Sequence, residues 1–134
     1  MQPEPTLETD SRWSTIPYLD ANAVADGKAL YQRYCAACHG ASLEGQPNWR
    51  ERDSAGYLPA PPHDQSGHTW HHDDKQLFTI VKEGLQAIAG ADYRTNMRAF
   101  GQQMNDDQIW SVLAYIKSTW PQKIIEAHNR FSQE

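Results

Sequence analysis

The sequence has no long apolar run, no excess of basic residues and no stretch that alternates apolar with polar residues as a β-strand does. No window approaches the roughly 18 consecutive apolar residues of a membrane-spanning helix, so we expect no transmembrane segment. The formal net charge of −5 argues against nucleic acid as a partner, because nucleic-acid-binding proteins present basic faces. Since strand-like alternation and internal repeats are both missing, we expect one all-α domain within the 134 residues.

The N-terminus has neither the positive charge nor the apolar stretch of a secretory signal. We interpret residues 1–19 as an extended N-terminal arm, held by Trp13 and Tyr18. Residues 20–121 are the predicted folded domain, and residues 122–134 add a short C-terminal helical extension.

The C-terminal extension carries an apolar stripe of Ile124, Ile125 and Phe131, which we expect to pack back on the domain. His128 lies within this stripe but has no visible partner in the sequence, so we expect it at the surface.

Three segments within the domain carry helical periodicity. Asp20 is the predicted N-cap of the first helix, which runs into a cysteine motif, and the second helix spans about Asp73 to Gly84. The third helix starts after Asn105, which has glutamine three residues later as in a capping box. Residues 40–72 show no periodicity, and a loop this long in a compact domain is expected to wrap something functional.

The cysteine motif contains both cysteines of the chain, in the run Cys35-Ala36-Ala37-Cys38-His39. Two thiols at this spacing can each add to one vinyl group of haem, and the following histidine can then bind the iron. A thioredoxin-like redox pair would require a βαβ pattern, and a structural zinc site would require a second pair of ligands. The motif therefore predicts one covalently attached haem c.

With these residues in place, the chain resembles the class I cytochromes c over about residues 20–120. The likeness rests on three motifs: Gly27-x-x-Leu30-Tyr31-x-x-x-Cys35-x-x-Cys38-His39-Gly40, Asn96-Met97-Arg98-Ala99-Phe100-Gly101 and Ile109-Trp110-x-x-Leu113-Ala114-Tyr115-Ile116. The resemblance implies an all-α fold wrapped around one haem, in which the N- and C-terminal helices cross. It also implies that Gly27 allows close approach at the crossing, with Tyr31 and Tyr115 packed around it.

The second iron ligand is expected to be a methionine, the residue that commonly completes ligation in electron-transfer cytochromes. Met97 lies in a loop before the last helix, whereas Met104 directly precedes the cap residue and is expected to be a core contact. The resemblance also selects Met97, with Arg98 where the family usually carries proline.

The resemblance assigns two further residues around the haem. The Pro61 carbonyl is expected to accept a hydrogen bond from His39, with Pro62 as the runner-up. The family carries leucine two residues after this proline, where this chain has His63. Trp70 is expected to donate its indole N–H to a haem propionate.

These residues predict a one-electron carrier that needs no catalytic acid, base or nucleophile. Its partners would be redox proteins, with a basic docking face as the complement of this acidic chain. The resemblance implies haem attachment outside the cytoplasmic membrane, so we expect a periplasmic protein whose signal peptide is not in the sequence. Two alternatives remain: a haem enzyme or sensor with a displaceable sixth ligand, and a copper-binding module at His68, His71 and His72.

Overall fold

The computed structural model describes residues 11–90, 97 and 99–132, and this part of the chain is helical with no β-strand. The helices are α1 (Ala21–Tyr34), α2 (Ala36–His39), α3 (Asp74–Glu83), α4 (Gln86–Ala89), α5 (Asp106–Ser118) and α6 (Gln122–Ser132), and a 3₁₀ turn spans Thr69–His71. The all-α prediction is therefore confirmed. None of the helices described is long and apolar enough to cross a membrane.

The starts of the three long domain helices are set by the side chains that the sequence predicts. The carboxylate of Asp20 accepts from the backbone N–H of Ala23 at 2.9 Å, and Asp73 caps α3 in the same way through Gln76 at 2.8 Å. Asn105 caps α5, with both hydrogen bonds of a capping box present. These caps satisfy backbone donors that have no partner inside the helix, so each helix begins where its cap residue stands.

Helices α1 and α5 cross in direct backbone contact at Gly27. A Cβ added at Gly27 would lie 1.8 Å from the carbonyl oxygen of Ser111 and 3.0 Å from the Cβ of Tyr115. The rings of Tyr31 and Tyr115 pack beside this contact, with centroids 5.6 Å apart. The predicted crossing, its glycine and its pair of tyrosines are thus confirmed, and we call this region the helix crossing.

Helix α3 packs against α5 through aromatic and charged side chains. The rings of Phe78 and Trp110 stack with centroids 4.6 Å apart, and Lys82 forms a salt bridge of 2.9 Å with Asp106. The helix ends at Gly84, where φ is 92°, a left-handed value that glycine adopts without strain. The predicted C-terminal end of this helix is confirmed.

Residues 40–68 form the predicted loop, which is held to α2 and to itself by backbone hydrogen bonds. The N–H of Gly45 donates to the carbonyl of His39 at 2.6 Å, and that of His63 donates to the carbonyl of Leu43 at 2.9 Å. Leu43 is 4% exposed and belongs to the hydrophobic core. The loop therefore brings its proline segment back toward the histidine of the cysteine motif.

Helix α6 packs back on the domain as expected for Ile125, which is 6% exposed, but not for Phe131, which is 46% exposed. The prediction that His128 lies at the surface is wrong, because its side chain is 0% exposed. Its Nε2 donates to the carbonyl of His72 at 2.8 Å and lies 3.6 Å from a carboxylate oxygen of Asp74. These partners lie 56 and 54 residues earlier in the chain, so no local pattern reveals them.

The buried and partly buried polar groups around α6 form one cluster, which we call the C-terminal junction: Tyr18, Asp74, Lys117, His128 and Asn129. The Nζ of Lys117, in a residue that is 1% exposed, donates to Asn129 Oδ1 at 2.5 Å and lies 4.6 Å from the centre of the Tyr18 ring. The Nδ2 of Asn129 in turn donates to the Tyr18 hydroxyl at 3.1 Å. The junction thus joins the arm, α5 and α6 through polar side chains, which lie beside the apolar core.

The described part of the N-terminal arm, residues 11–19, has no helix and is attached at several points. Trp13 and Tyr18 pack against the core, as predicted. Ile16 is 4% exposed, and its backbone N–H donates to Asp74 at 2.9 Å. The arm is therefore anchored by Ile16 as well as by the two aromatic residues.

Candidate functional site

The two cysteines lie where α1 gives way to α2. The N–H of Cys35 still donates to the carbonyl of Tyr31 at 2.8 Å, and Cys35 is also the N-cap of α2. Both thiols are free; Cys35 is partly buried and Cys38 is exposed. Burial, followed by the neighbouring Cys38, raises the pKa of Cys35 to about 12, so this thiol is protonated at neutral pH.

His39 follows the cysteines at the end of α2 and is 7% exposed. Its Nδ1–H donates to the carbonyl of Pro61 at 2.7 Å. Burial lowers the pKa of His39, and the hydrogen bond to Pro61 opposes this only in part, so the ring is neutral at pH 7. With Nδ1 protonated, the lone pair of the neutral ring is on Nε2, the nitrogen that can bind a metal.

The predicted hydrogen bond between His39 and the Pro61 carbonyl is present. That Pro61 orients a metal-binding histidine stays a prediction. The predicted runner-up, Pro62, contributes no carbonyl bond to His39 among the described hydrogen bonds.

A tyrosine of the helix crossing holds the backbone next to His39. The hydroxyl of Tyr31, a residue that is 0% exposed, donates to the carbonyl of Gly40 at 2.7 Å. Burial is the main reason that the pKa of Tyr31 is raised, so the hydroxyl stays protonated and available as a donor. The crossing therefore connects directly to the residue after the iron-ligand candidate.

His63 contacts His39 in a way that sequence reasoning did not anticipate. The two imidazole rings have centroids 4.0 Å apart and planes inclined by 32°. Burial, and then the neighbouring His39, lower the pKa of His63 well below its ordinary value. The signal available in the sequence was a ring in place of leucine two residues after Pro61, but nothing local indicated what that ring would contact.

The two candidate methionines lie in different environments. Met104 is 2% exposed in the hydrophobic core, so its predicted role as a core contact is confirmed. Met97 is partly buried and packs against the core. Shortly after it, Phe100 donates its N–H to the carbonyl of Val81 at 2.8 Å, which holds this segment at the end of α3. Its role as an iron ligand stays a prediction, and Arg98 lies outside the described residues.

Trp70 is partly buried against the core, and its indole N–H donates to the carbonyl of Gln65 at 3.1 Å. The predicted donation to a propionate stays a prediction; because the indole has one N–H, it would have to leave the Gln65 carbonyl or divide its hydrogen bond between the two acceptors.

The three histidines near Trp70 do not converge. His68 and His71 are both exposed, with ring centroids 5.4 Å apart, whereas His72 is hydrogen-bonded to the side chain of Gln76 at 2.9 Å. Across the described residues, no three histidine, cysteine or acidic side chains are grouped so that they could hold a metal ion. The copper-binding alternative therefore has no geometric support.

The donor set around the cysteine motif fits haem. It offers a neutral imidazole with Nε2 free of the proton and two free thiols at the spacing for attachment. Elsewhere in the chain, Met97 has a partly buried thioether, which is a soft donor. Cys35, Cys38, His39 and Met97 would hold the group, and Pro61 would orient His39.

Comparison with known proteins gives matches of one kind. A family model described as Cytochrome c matches residues 24–120. The Cbb3-type cytochrome c oxidase subunit CcoP of Azospirillum sp. (strain B510) is 30% identical over 99 residues, which are 72% of this chain and 29% of that protein. The gluconate 2-dehydrogenase cytochrome c subunit of Pantoea cypripedii is 34% identical over 96 residues, 70% of this chain and 20% of that protein.

The chain thus spans less than a third of the length of either of these relatives. No solved structure matches the chain significantly.

Proposed function

Because the chain belongs to the cytochrome c family, we propose that it is a one-electron carrier with a single covalent haem c and His39/Met97 ligation. The proposed haem-binding domain is residues 20–121, with residues 1–19 as an arm and residues 122–134 as a helical extension. No residue is assigned a role as catalytic acid, base or nucleophile.

The observation that carries the proposal is the 2.7 Å hydrogen bond from His39 Nδ1 to the Pro61 carbonyl, directly beside the cysteine pair. A metal-bound histidine generally donates its other ring N–H to an acceptor that fixes its tautomer and orientation. His39 has this arrangement, with its Nδ1–H on the Pro61 carbonyl. A histidine that is buried, neutral and already oriented binds a metal without first having to lose a proton or reorganise.

The cysteines would attach the group by addition. Each sulfur would bond to one carbon of a vinyl group and the thiol hydrogen would go to the other carbon, an addition that consumes no oxidant or reductant. A haem held in this way supplies one-electron redox chemistry. The thioether of Met97 would be the second iron ligand and would exclude small ligands, which favours a carrier over an enzyme or a sensor.

The proposed partners are redox proteins. The two relatives are named as subunits of an oxidase and of a gluconate dehydrogenase, so we infer that this chain passes electrons within or to such an assembly. Its net charge of −5 suits a partner with a basic docking face. We further propose a periplasmic location, since family members receive haem outside the cytoplasmic membrane.

The ligand assignment is tested by visible and far-red absorption of the haem-loaded protein, comparing Met97→Ala with Met104→Leu. We expect the wild type to show the weak far-red band of a sulfur–iron bond when oxidised and to resist carbon monoxide when reduced. Met97→Ala should lose the band and bind carbon monoxide, because a methyl group cannot ligate iron.

Met104→Leu is the matched control. It replaces a buried thioether with a leucine side chain of similar volume and should keep the band. If Met97→Ala retains the band, Met97 is not the ligand. If the wild type binds carbon monoxide readily, the displaceable-ligand alternative replaces the carrier.

A further inference from the structure

The ring of His63 lies directly against the ring of His39, at a centroid distance of 4.0 Å and an inclination of 32°. At this distance the two rings are in van der Waals contact over their faces. The side chain of His63 therefore limits the directions in which the His39 ring can tilt.

His63 is itself held at three points. Its Nδ1 is hydrogen-bonded to the hydroxyl of Thr69 at 2.7 Å, and Thr69 is 6% exposed. Its carbonyl accepts from the indole N–H of Trp120 at 2.8 Å, and its N–H donates to the carbonyl of Leu43 at 2.9 Å. The two backbone bonds fix the position of the residue, and the bond at Nδ1 restricts rotation of its ring, so the ring is held in place.

The contacts of Pro61 and His63 restrict different motions of His39. The single hydrogen bond to the Pro61 carbonyl sets the direction in which Nδ1 points, but it leaves the ring able to tilt about that bond. The face of His63 opposes this tilt. Together the two residues define both the direction and the plane of the ring.

We propose that His63 is a positioning residue that fixes the plane of the His39 ring relative to the haem iron. This inference rests on the proposed function, in which His39 is an iron ligand. Neighbours that orient a metal-binding histidine tune the metal that it would hold.

The test uses the haem-loaded full chain and two substitutions that differ only in whether a ring is present. His63→Leu removes the ring, whereas His63→Phe keeps a ring face without the polar nitrogens. The readouts are the electron paramagnetic resonance g-values and the hyperfine-shifted proton resonances of the oxidised protein, together with the reduction potential.

We expect His63→Leu to change the g-values and to shift the oxidised-to-reduced ratio at a fixed potential about threefold, which is about 28 mV at 59 mV per tenfold. His63→Phe keeps a ring face but loses the bond to Thr69, so its g-values should change less than those of His63→Leu and lie between them and the wild-type values. Polarity alone would predict that Leu and Phe behave alike, so equal shifts in the two variants would overturn the proposal.

Thr69→Val tests the same inference without removing the His63 ring, which matters if His63→Leu does not accumulate. Loss of the hydroxyl frees the ring, so a smaller change of g-values in the same direction is expected. Unchanged g-values in both His63→Leu and Thr69→Val, or in Thr69→Val alone if only that variant accumulates, would overturn the proposal.

His68→Leu is the matched control, because it also removes a histidine but at an exposed position. We expect its g-values and potential to match those of the wild type. A wild type that takes up no covalent haem contradicts the proposed function itself, whereas a haem-loaded wild type with insensitive His63 variants contradicts only the positioning role.

Discussion

The helix crossing and the C-terminal junction are both buried, but they are built from opposite chemistry. At the crossing, Gly27 allows two backbones to touch and Tyr31 packs on Tyr115. At the junction, Lys117 and His128 are buried with polar partners instead of apolar ones. The apolar contact between the helices was expected from the family resemblance, whereas the buried polar contacts depend on partners far apart in the chain that no local pattern reveals.

The largest effect is expected at the crossing, from Gly27→Val. The new side chain begins with a Cβ that would lie 1.8 Å from the Ser111 carbonyl oxygen, so α1 and α5 must separate. We expect the free energy of unfolding to fall by about 3 kcal/mol or more, the upper end of the cost of overpacking. Denaturant unfolding of the haem-loaded protein, followed by circular dichroism, measures this.

Lys28→Ala is the control, since residue 28 is exposed on the same turn of α1 and alanine favours the helix. Its unfolding free energy should lie within about 0.5 kcal/mol of that of the wild type. If Gly27→Val is equally mild, the two helices are not in backbone contact at this position.

At the junction, Asp74→Ala should be the next most damaging change. The carboxylate accepts hydrogen bonds from the Ile16 N–H at 2.9 Å and from the Ser132 hydroxyl at 3.1 Å, and it is 7% exposed. Leaving a buried donor without an acceptor costs about 1 to 3 kcal/mol, so we expect a loss of about 2 kcal/mol. Thermal or urea unfolding of the holoprotein is the measurement.

Asp26→Ala removes the same charge from an exposed position on α1 and should be close to neutral. An equal loss in Asp26→Ala and Asp74→Ala would show that net charge, and not the junction, causes the effect.

A smaller effect is expected from Asn105→Ala, which removes a cap that the sequence alone predicts. The side chain accepts from the N–H of Gln108 at 2.9 Å, and loss of such a cap costs about 1 kcal/mol. Asn105→Asp keeps an acceptor and should retain most of the stability. If Ala and Asp behave alike in urea unfolding, the capping box contributes nothing measurable.

The remaining effect concerns pH and distinguishes the junction from the crossing. Burial, and then Lys117, lower the pKa of His128 below its ordinary value of about 6.5, whereas His72, Asp73 and Asp74 oppose the shift. The unfolded chain therefore binds more protons in mild acid, so stability is full above pH of about 6.5 and falls as the pH drops toward the lower folded-state pKa.

His128→Gln should flatten this decline, by at most about 1.4 kcal/mol per pH unit for one proton. Urea unfolding of both proteins between pH 8 and pH 5, values chosen to bracket about 6.5, measures the two slopes. A variant with the slope of the wild type would mean that His128 does not carry the pH dependence of the junction.

Most of the fold could be predicted because its determinants are local. Asp20, Asp73 and Asn105 each cap a helix through a backbone N–H three residues on. Both partners of such a cap lie within one short sequence pattern, so the cap can be predicted. His128 could not be placed, because its partners lie at the start of α3. Nothing in the pattern of α6 indicates which distant carbonyl its polar residue will meet.

The candidate site also contains some residues whose roles could be predicted from the sequence and one contact that could not. The cysteine pair and His39 form a contiguous motif, and Pro61 was identified through the family resemblance. The contact of His63 with His39 joins residues 24 apart in sequence through a loop without periodicity. A loop conformation of this kind depends on many separate hydrogen bonds, so the facing of two rings across it cannot be predicted from composition or spacing.

The most direct test of the central claim is the intact mass of the chain under denaturing conditions, after production with a functioning haem-attachment system. We expect the mass of the polypeptide plus one haem, retained through acid–acetone extraction, and the mass of the polypeptide alone for the double variant Cys35→Ala, Cys38→Ala. A wild-type chain that carries no haem mass, or a double-alanine variant that keeps it, would contradict covalent attachment at Cys35 and Cys38.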